Sequence, residues 1–277
     1  MKIPSSIAAL AVCASLFAGP AATAGEAWED VSHMLYGDRA LLDGSEVVAI
    51  AAPYRSPDDA RTDIGASVVA PSGMLIDRVT LVLDENPMPV SAVFELAKPL
   101  PRFFFDVTMR VNGPTPVHVV AETTDGRLWV AETYVKTSGL GACAAPPGTD
   151  PELALATLGD MRIEMAEGPA GMGATLASGR AALETLGTSR LDLDVSHPSH
   201  SGMQKDQISL LFIPMRYVET VALDLDGAAY LTMTGSISLS ENPRIAVSAP
   251  SRTQSVEVEL RDTDGTVRRA SRRFGGY

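Results

Sequence analysis

The sequence is poor in cysteine, in positive charge and in long apolar runs, and each shortage excludes something. Only Cys13 and Cys143 occur in 277 residues, so no disulfide framework holds the chain together. Lys and Arg number 22 against 34 Asp and Glu, a formal net charge of −12. Such a balance, with no basic cluster before Arg268 to Arg273, repels a phosphate backbone and argues against a nucleic-acid partner. There is no Cys-x-x-Cys, no Gly-rich phosphate loop and no nucleotide-binding strand–turn–helix unit, so no cofactor of its own is expected. No apolar run is long enough to cross a bilayer, and no membrane insertion is expected. What is present is an ordinary globular composition, 45% hydrophobic, long enough to bury a core in one or two domains without staples.

Residues 1–24 read as a secretory signal: Lys2 gives the positive start, Ile7 to Phe17 is a short apolar run, and Ala22-Thr23-Ala24 is a small-x-small cleavage site. Cleavage after Ala24 would remove Cys13 and export the chain to the periplasm. Cys143 is then the only thiol in an oxidising compartment, where it must be buried, paired with a partner, or used. Its surroundings, Gly139-Leu140-Gly141-Ala142-Cys143-Ala144-Ala145-Pro146-Pro147-Gly148, are small and loop-forming, with neither helix nor strand period. Gly139, Gly141, Ala142 and Ala144 therefore predict a thin flexible strip that could carry the thiol into another protein's cleft. No cation lies closer to Cys143 along the sequence than Lys136.

The remainder is mainly β. Phe103, Phe105, Val107, Met109 and Val111 alternate with Phe104, Asp106, Thr108 and Arg110, which predicts one buried and one mixed face. Asp125-Gly126, Asp226-Gly227 and Asp264-Gly265 predict three hairpins. Val221, Leu223 and Leu225, and likewise Val256, Val258 and Leu260, alternate with polar or small residues. Two helices are expected, Glu26 to Leu35, and Pro151 to Leu158 with Asp150 as N-cap and Gly159 as the stop. The fold class is two immunoglobulin-like β-sandwich domains, 25–140 and 191–277, joined by a partly helical connector and cysteine-bearing strip, 141–190. Gly168-Pro169-Ala170-Gly171 has loop composition and is the expected nicking site. The carboxylates Asp58 and Asp59, Asp192 and Asp194, and Asp262 and Asp264 are expected in solvated turns and strand faces.

The chain resembles a known family. Ala52-Pro53-Tyr54-Arg55, Asp84-Glu85-Asn86-Pro87, Ala121-Glu122-Thr123-Thr124-Asp125-Gly126 and the strip with Cys143 are similar to SoxY, the periplasmic carrier subunit of the sulfur-oxidising system. His197-Pro198, Ser201-Gly202-Met203-Gln204, Ile213-Pro214, Ile237-Ser238-Leu239-Ser240-Glu241-Asn242-Pro243 and Asp262-Thr263-Asp264-Gly265 resemble SoxZ. Together they resemble the fused SoxYZ-like carriers associated with quinoprotein (PQQ) alcohol dehydrogenases. The resemblance implies a non-enzymatic carrier holding sulfur intermediates covalently on Cys143 for periplasmic sulfur-oxidising enzymes or cytochromes, with a PQQ-dependent dehydrogenase system among the candidate partners. In SoxY the strip is Gly-Gly-Cys-Gly-Gly at a free C-terminus. Here the cysteine is internal and Ala-flanked, which sets thiosulfate carriage by the standard route apart from carriage of some sulfur species.

Two alternatives stand beside it. His197, His200 and Met203 could bind copper with Cys143, joined by Met161, Met165 and Met172, although a His-x-x-His pair alone is thin evidence and Met more often fills gaps. A thiol-independent adaptor for a dehydrogenase is the other. A cysteine hydrolase is disfavoured, because none of His33, His118, His197 and His200 is near Cys143 in sequence and no Asp- or Glu-oriented dyad is evident.

Overall fold

A computed structural model describes residues 26–166 and 188–275. The expected leader and the Gly168–Gly171 stretch lie outside them. In order the elements are α1 (Glu26–Tyr36), β1 (Leu41–Asp43), β2 (Val48–Ala51), β3 (Thr62–Val69), β4 (Ile76–Leu83), β5 (Val90–Leu100), β6 (Arg102–Met109), β7 (Thr115–Thr123) and β8 (Leu128–Val135). A one-turn 3-10 helix, Ala142–Ala144, and α2 (Pro151–Ala156) follow. Then come β9 (Met161–Ala166), β10 (Thr188–Val195), β11 (Val218–Leu225), β12 (Ala228–Gly235), β13 (Arg244–Pro250), β14 (Ser255–Asp262) and β15 (Val267–Arg273).

The strands form two sheets, one ordered β1-β8-β7-β4-β5-β12-β11-β14-β15 and the other β2-β3-β6-β13-β10-β9. Both sheets run through both halves of the chain. β5 pairs antiparallel with β12, with Phe94 opposite Met233, and β6 pairs with β13, with Asp106 opposite Ala246. The two immunoglobulin-like halves thus meet edge to edge through two hydrogen-bonded ladders, which leave no open edge at the junction. One continuous core results: Phe94, Phe103, Phe105 and Met109 of the first half share it with Leu191, Leu193, Met233 and Val256 of the second.

The three Asp-Gly hairpins form as expected. Asp226 and Gly227 both have positive φ, 51° and 78°, as a two-residue hairpin turn of this hand requires, and the Asp226 carboxylate accepts from Gln254 and Ser255 N–H. α2 begins as the sequence dictates, with the Asp150 side chain accepting from Glu152 and Leu153 N–H, and Gly159 follows it at φ 78°.

Two features differ from expectation. The connector is shorter than 141–190, because β9 lies inside it and pairs with β10, so the second half begins at Met161. The mixed face of β6 is fully covered: Phe104, Asp106 and Thr108 are at most 2% exposed. That face is closed by Arg190, whose guanidinium lies 5.5 Å from the Phe104 ring centroid and donates to Asp106 Oδ2 at 3.1 and 3.2 Å. Arg244 reaches the same carboxylate at 3.8 Å and Asp63 at 2.8 Å. These ion pairs cross the junction, joining β6 and β3 of the first half to β10 and β13 of the second.

Candidate functional site

Below the junction, Gly139 and Gly141 take positive φ, 80° and 76°, and turn the chain from β8 into the one-turn helix that carries Cys143. The strip is docked, not projecting. Ala142 and Cys143 are buried, the latter at 0% exposure, because small side chains let the turn sink against the second half. Ala144 is exposed on the outer side of the turn.

Polar groups from three separate segments hold this peptide. Cys143 N–H donates to Asn112 Oδ1 at 3.1 Å, and Ser201 Oγ donates to Cys143 O. Gln204 Nε2 donates to Ala145 O at 2.9 Å, while the Glu241 carboxylate accepts from Gly148 and Thr149 N–H at 2.8 and 2.7 Å. Behind Asn112 stands buried Asn86, whose Oδ1 accepts Asn112 N–H and whose Nδ2 donates to Arg110 O and Ser238 Oγ. Burial pushes the Cys143 thiol above its ordinary range, and the Arg110 guanidinium opposes that rise. Lys136 is therefore not the cation that matters. Arg110 was hidden by sequence distance.

The segment that supplies Ser201 and Gln204 is itself pinned. His197 Nδ1 accepts Ser199 N–H at 2.9 Å, and His197 Nε2 faces Asp262 Oδ2 at 3.4 Å. Asp262 also accepts from Arg216 Nε at 2.8 Å. At 1% exposure it does not sit in a solvated turn. Burial would raise its carboxyl, but hydrogen bonds from Arg216 and Thr266 outweigh that and hold it low. Asp192, expected on a solvated face, is half-buried and accepts from Arg190 Nε at 2.8 Å. His197 and Asp262 thus form the oriented pair that the sequence did not disclose. Both ring nitrogens are spent inside it, so neither a metal nor the thiol finds a free lone pair on His197. His200 Nδ1 faces Gln204 Oε1 at 3.2 Å, and Met203 is partly exposed. Met161 and Met165 lie on β9, packed against the core, while Met172 lies outside the described residues. No group of three or more His, Cys, Asp or Glu suited to a metal occurs among the described residues.

A pH dependence follows. Burial pushes His197 down to about 4 against the pull of Asp262, and burial also depresses His200. The unfolded chain takes up protons below about 6.5 that the folded chain refuses, so stability rises with pH across that window. Between pH 6.5 and 4 the folded state is expected to lose about 3 kcal/mol from His197 alone. Urea unfolding at pH steps from 4 to 7 checks this, and His197→Asn should flatten the slope.

Beside the strip lies a groove of ≈ 390 Å³ lined by Pro147, Pro151, Leu155, His200, Ile213 and Arg216 among others. Next to it Ile208, Leu210, Leu211, Phe212 and Met215 are exposed, Ile208 at 94%. So concentrated an apolar surface is unusual on a chain of this charge.

The residues that sequence reasoning missed as site residues, Arg110, Asn112, Asn86, Ser201, Gln204 and Glu241, were partly in view. Asn86, Ser201, Gln204 and Glu241 belong to the motifs that carried the family resemblance, and these converge on the backbone of the cysteine strip and its support.

Comparison with known proteins gives two family matches, one in each half. Residues 32–143 match the family Sulfur oxidation protein SoxY, and residues 182–273 match Sulphur oxidation protein SoxZ. Among solved structures, the sulfur carrier protein SoxY from Chlorobium limicola f thiosulfatophilum overlaps 41% of this chain and 98% of its own, at 18% identity and a TM-score of 0.36. A lectin from Pleurotus ostreatus in complex with GalNAc overlaps 85% and 79%, at 10% identity and a TM-score of 0.18. No match is found among curated proteins. The SoxY match ends on Cys143, and the segments of the other half that hold this cysteine and the residues just after it, around Ser201 and Glu241, fall within the SoxZ match. One polypeptide carries a SoxY domain and a SoxZ domain in series, and the chain is a fusion of these two families of sulfur-oxidation proteins.

Proposed function

We propose that this protein works in the periplasm, holds a sulfur-containing intermediate covalently on Cys143, and presents it to sulfur-oxidising enzymes or cytochromes. The observation that carries the reading is the position of the single described cysteine, at the end of the SoxY match and clasped by the SoxZ half. A thiol suits the task. Joining it to a reduced sulfur compound through an S–S bond releases two electrons, which an oxidising partner such as a cytochrome accepts, and sends the thiol proton, with any proton on the attacking sulfur, to solvent. The bond is later broken by attack on either sulfur.

Carriage requires two states. In the docked state the thiol is buried and its pKa is raised, which protects it from stray oxidation. In the released state Gly139 and Gly141 allow the strip to swing out toward a partner. The exposed apolar loop from Ile208 to Met215 flanks the dock, where an enzyme acting on the adduct would settle.

The adaptor alternative, including service to a quinoprotein dehydrogenase, needs no thiol, so one substitution separates the two. Cys143→Ser is expected to abolish oxidation of the reduced sulfur compound by cells that depend on this protein, with the folded state and its amount unchanged. Full activity in the variant would establish the adaptor instead.

A further inference from the structure

Arg110 is 2% exposed, yet it has no carboxylate partner at ion-pair distance among the described residues. The other deeply buried guanidinium, Arg190, pairs directly with Asp106. Arg110 instead donates through Nη1 to the backbone carbonyls of Ser199, Ile237 and Leu239, which solvate the cation without neutralising it. A buried charge left uncompensated is costly, and a site that keeps one is prepared for an anion.

The geometry says where that anion belongs. Arg110 and Asn112 are two residues apart, and Asn112 holds Cys143 N–H. Ser199 and Ser201 are likewise two apart. The first accepts from Arg110 and the second donates to Cys143 O. Guanidinium and cysteine are therefore bracketed by the same two segments. The acidic groups that Arg110 feels are Cys143 and Glu241, and Glu241 is engaged by Gly148 and Thr149 N–H.

We infer that Arg110 is the charge-selecting residue of the carrier site: it favours Cys143 bearing a negative group, a thiolate or an adduct ending in an oxyanion such as a sulfonate, over a neutral or cationic adduct. This rests on the reading of Cys143 as the carrier. Arg110 touches no reacting bond in the docked state and acts through the charge of what the sulfur carries. Its effect is weakened by salt but not abolished, because the pair lies out of water.

Matched methanethiosulfonate reagents test it on the purified full chain. Their tails are sulfonatoethyl, trimethylammonioethyl and ethyl. The Cys143 proton goes to solvent, the thiolate attacks the sulfenyl sulfur, an S–S bond forms, the S–SO₂ bond breaks, and methanesulfinate leaves with the electron pair. Rates are read by intact mass and divided by those of free cysteine with the same reagent. The anionic tail should gain on the cationic one by on the order of tenfold or more. Arg110→Gln should collapse that ratio towards one, and Arg110→Lys should keep most of it.

A merely structural Arg110 would slow or speed all three reagents together and leave the ratio unchanged in Arg110→Gln, which overturns the inference. Should that variant fail to fold, the wild-type ratio decides alone, since a value near that of free cysteine also overturns it. A flat ratio leaves covalent carriage standing. An absent adduct in cells, with the ratio intact, would remove carriage while preserving the charge selection.

Discussion

The double variant Asn112→Ala/Ser201→Ala is expected to raise the rate at which Cys143 reacts with a small aromatic disulfide by about tenfold to hundredfold. In the folded protein the thiol is at 0% exposure, so reaction requires the strip to loosen enough for a reagent to enter its dock. Asn112 and Ser201 hold the N–H and the C=O of the Cys143 peptide. A typical hydrogen bond contributes about 1 kcal/mol net, so removing two changes the released population by roughly thirtyfold. Release also frees the thiol from the burial that raises its pKa, which acts in the same direction. Global stability should fall by no more than about the same 2 kcal/mol, because the strip contributes Ala142 and Cys143 and little else to the buried interior. A stopped-flow measurement of thiol reaction checks this. An unchanged rate would mean that these two side chains do not hold the strip closed.

Arg190→Ala should destabilise the entire chain by about 3–5 kcal/mol, the ordinary cost of leaving one member of a buried ion pair alone. Asp106, at 0% exposure, would retain only Arg244 at 3.8 Å, and burial already raises its carboxyl. Phe104 would lose the guanidinium that covers it. Because the pair joins β6 to β10 across a shared core, both halves should fall together in a single denaturant transition shifted to lower concentration. Replacing both partners by apolar residues of similar size, Arg190→Met with Asp106→Leu, should recover most of the loss. Two separate transitions, or a loss below about 1 kcal/mol in Arg190→Ala, would contradict a junction held this way.

Much of the fold was legible because its signals are local. Strand alternation at Val221, Leu223 and Leu225, the Asp-Gly turns, and the Asp150 cap with Pro151 each act within a few residues, and the structure repeats them. What was hidden depends on pairing at long range. β9 reads Met-Arg-Ile-Glu-Met-Ala, a short strand in which Ile163 alone is fully buried, and its identity comes from pairing with β10. Asp106 is expected on a mixed face and Asp262 in a solvated turn because charge normally marks solvent, and partners 46 to 84 residues away reverse that. The candidate site shows the same division. Composition marked the cysteine strip, whereas its docking against Asn112, Ser201 and Glu241 is set by the meeting of two halves that no periodicity encodes. Burial of the thiol is the chief departure, since a run of small residues gives a loop freedom to swing and equally lets it pack closely.

The central claim is that Cys143 carries sulfur, and intact-mass spectrometry of the protein taken from its native cells tests it most directly. With reduced sulfur compounds supplied, a defined fraction should carry added mass in steps of sulfur or sulfur oxides. That mass should vanish on treatment with reductant and be absent in Cys143→Ser. Only the unmodified chain, or only random glutathione and dimer adducts under the same conditions, would contradict the account.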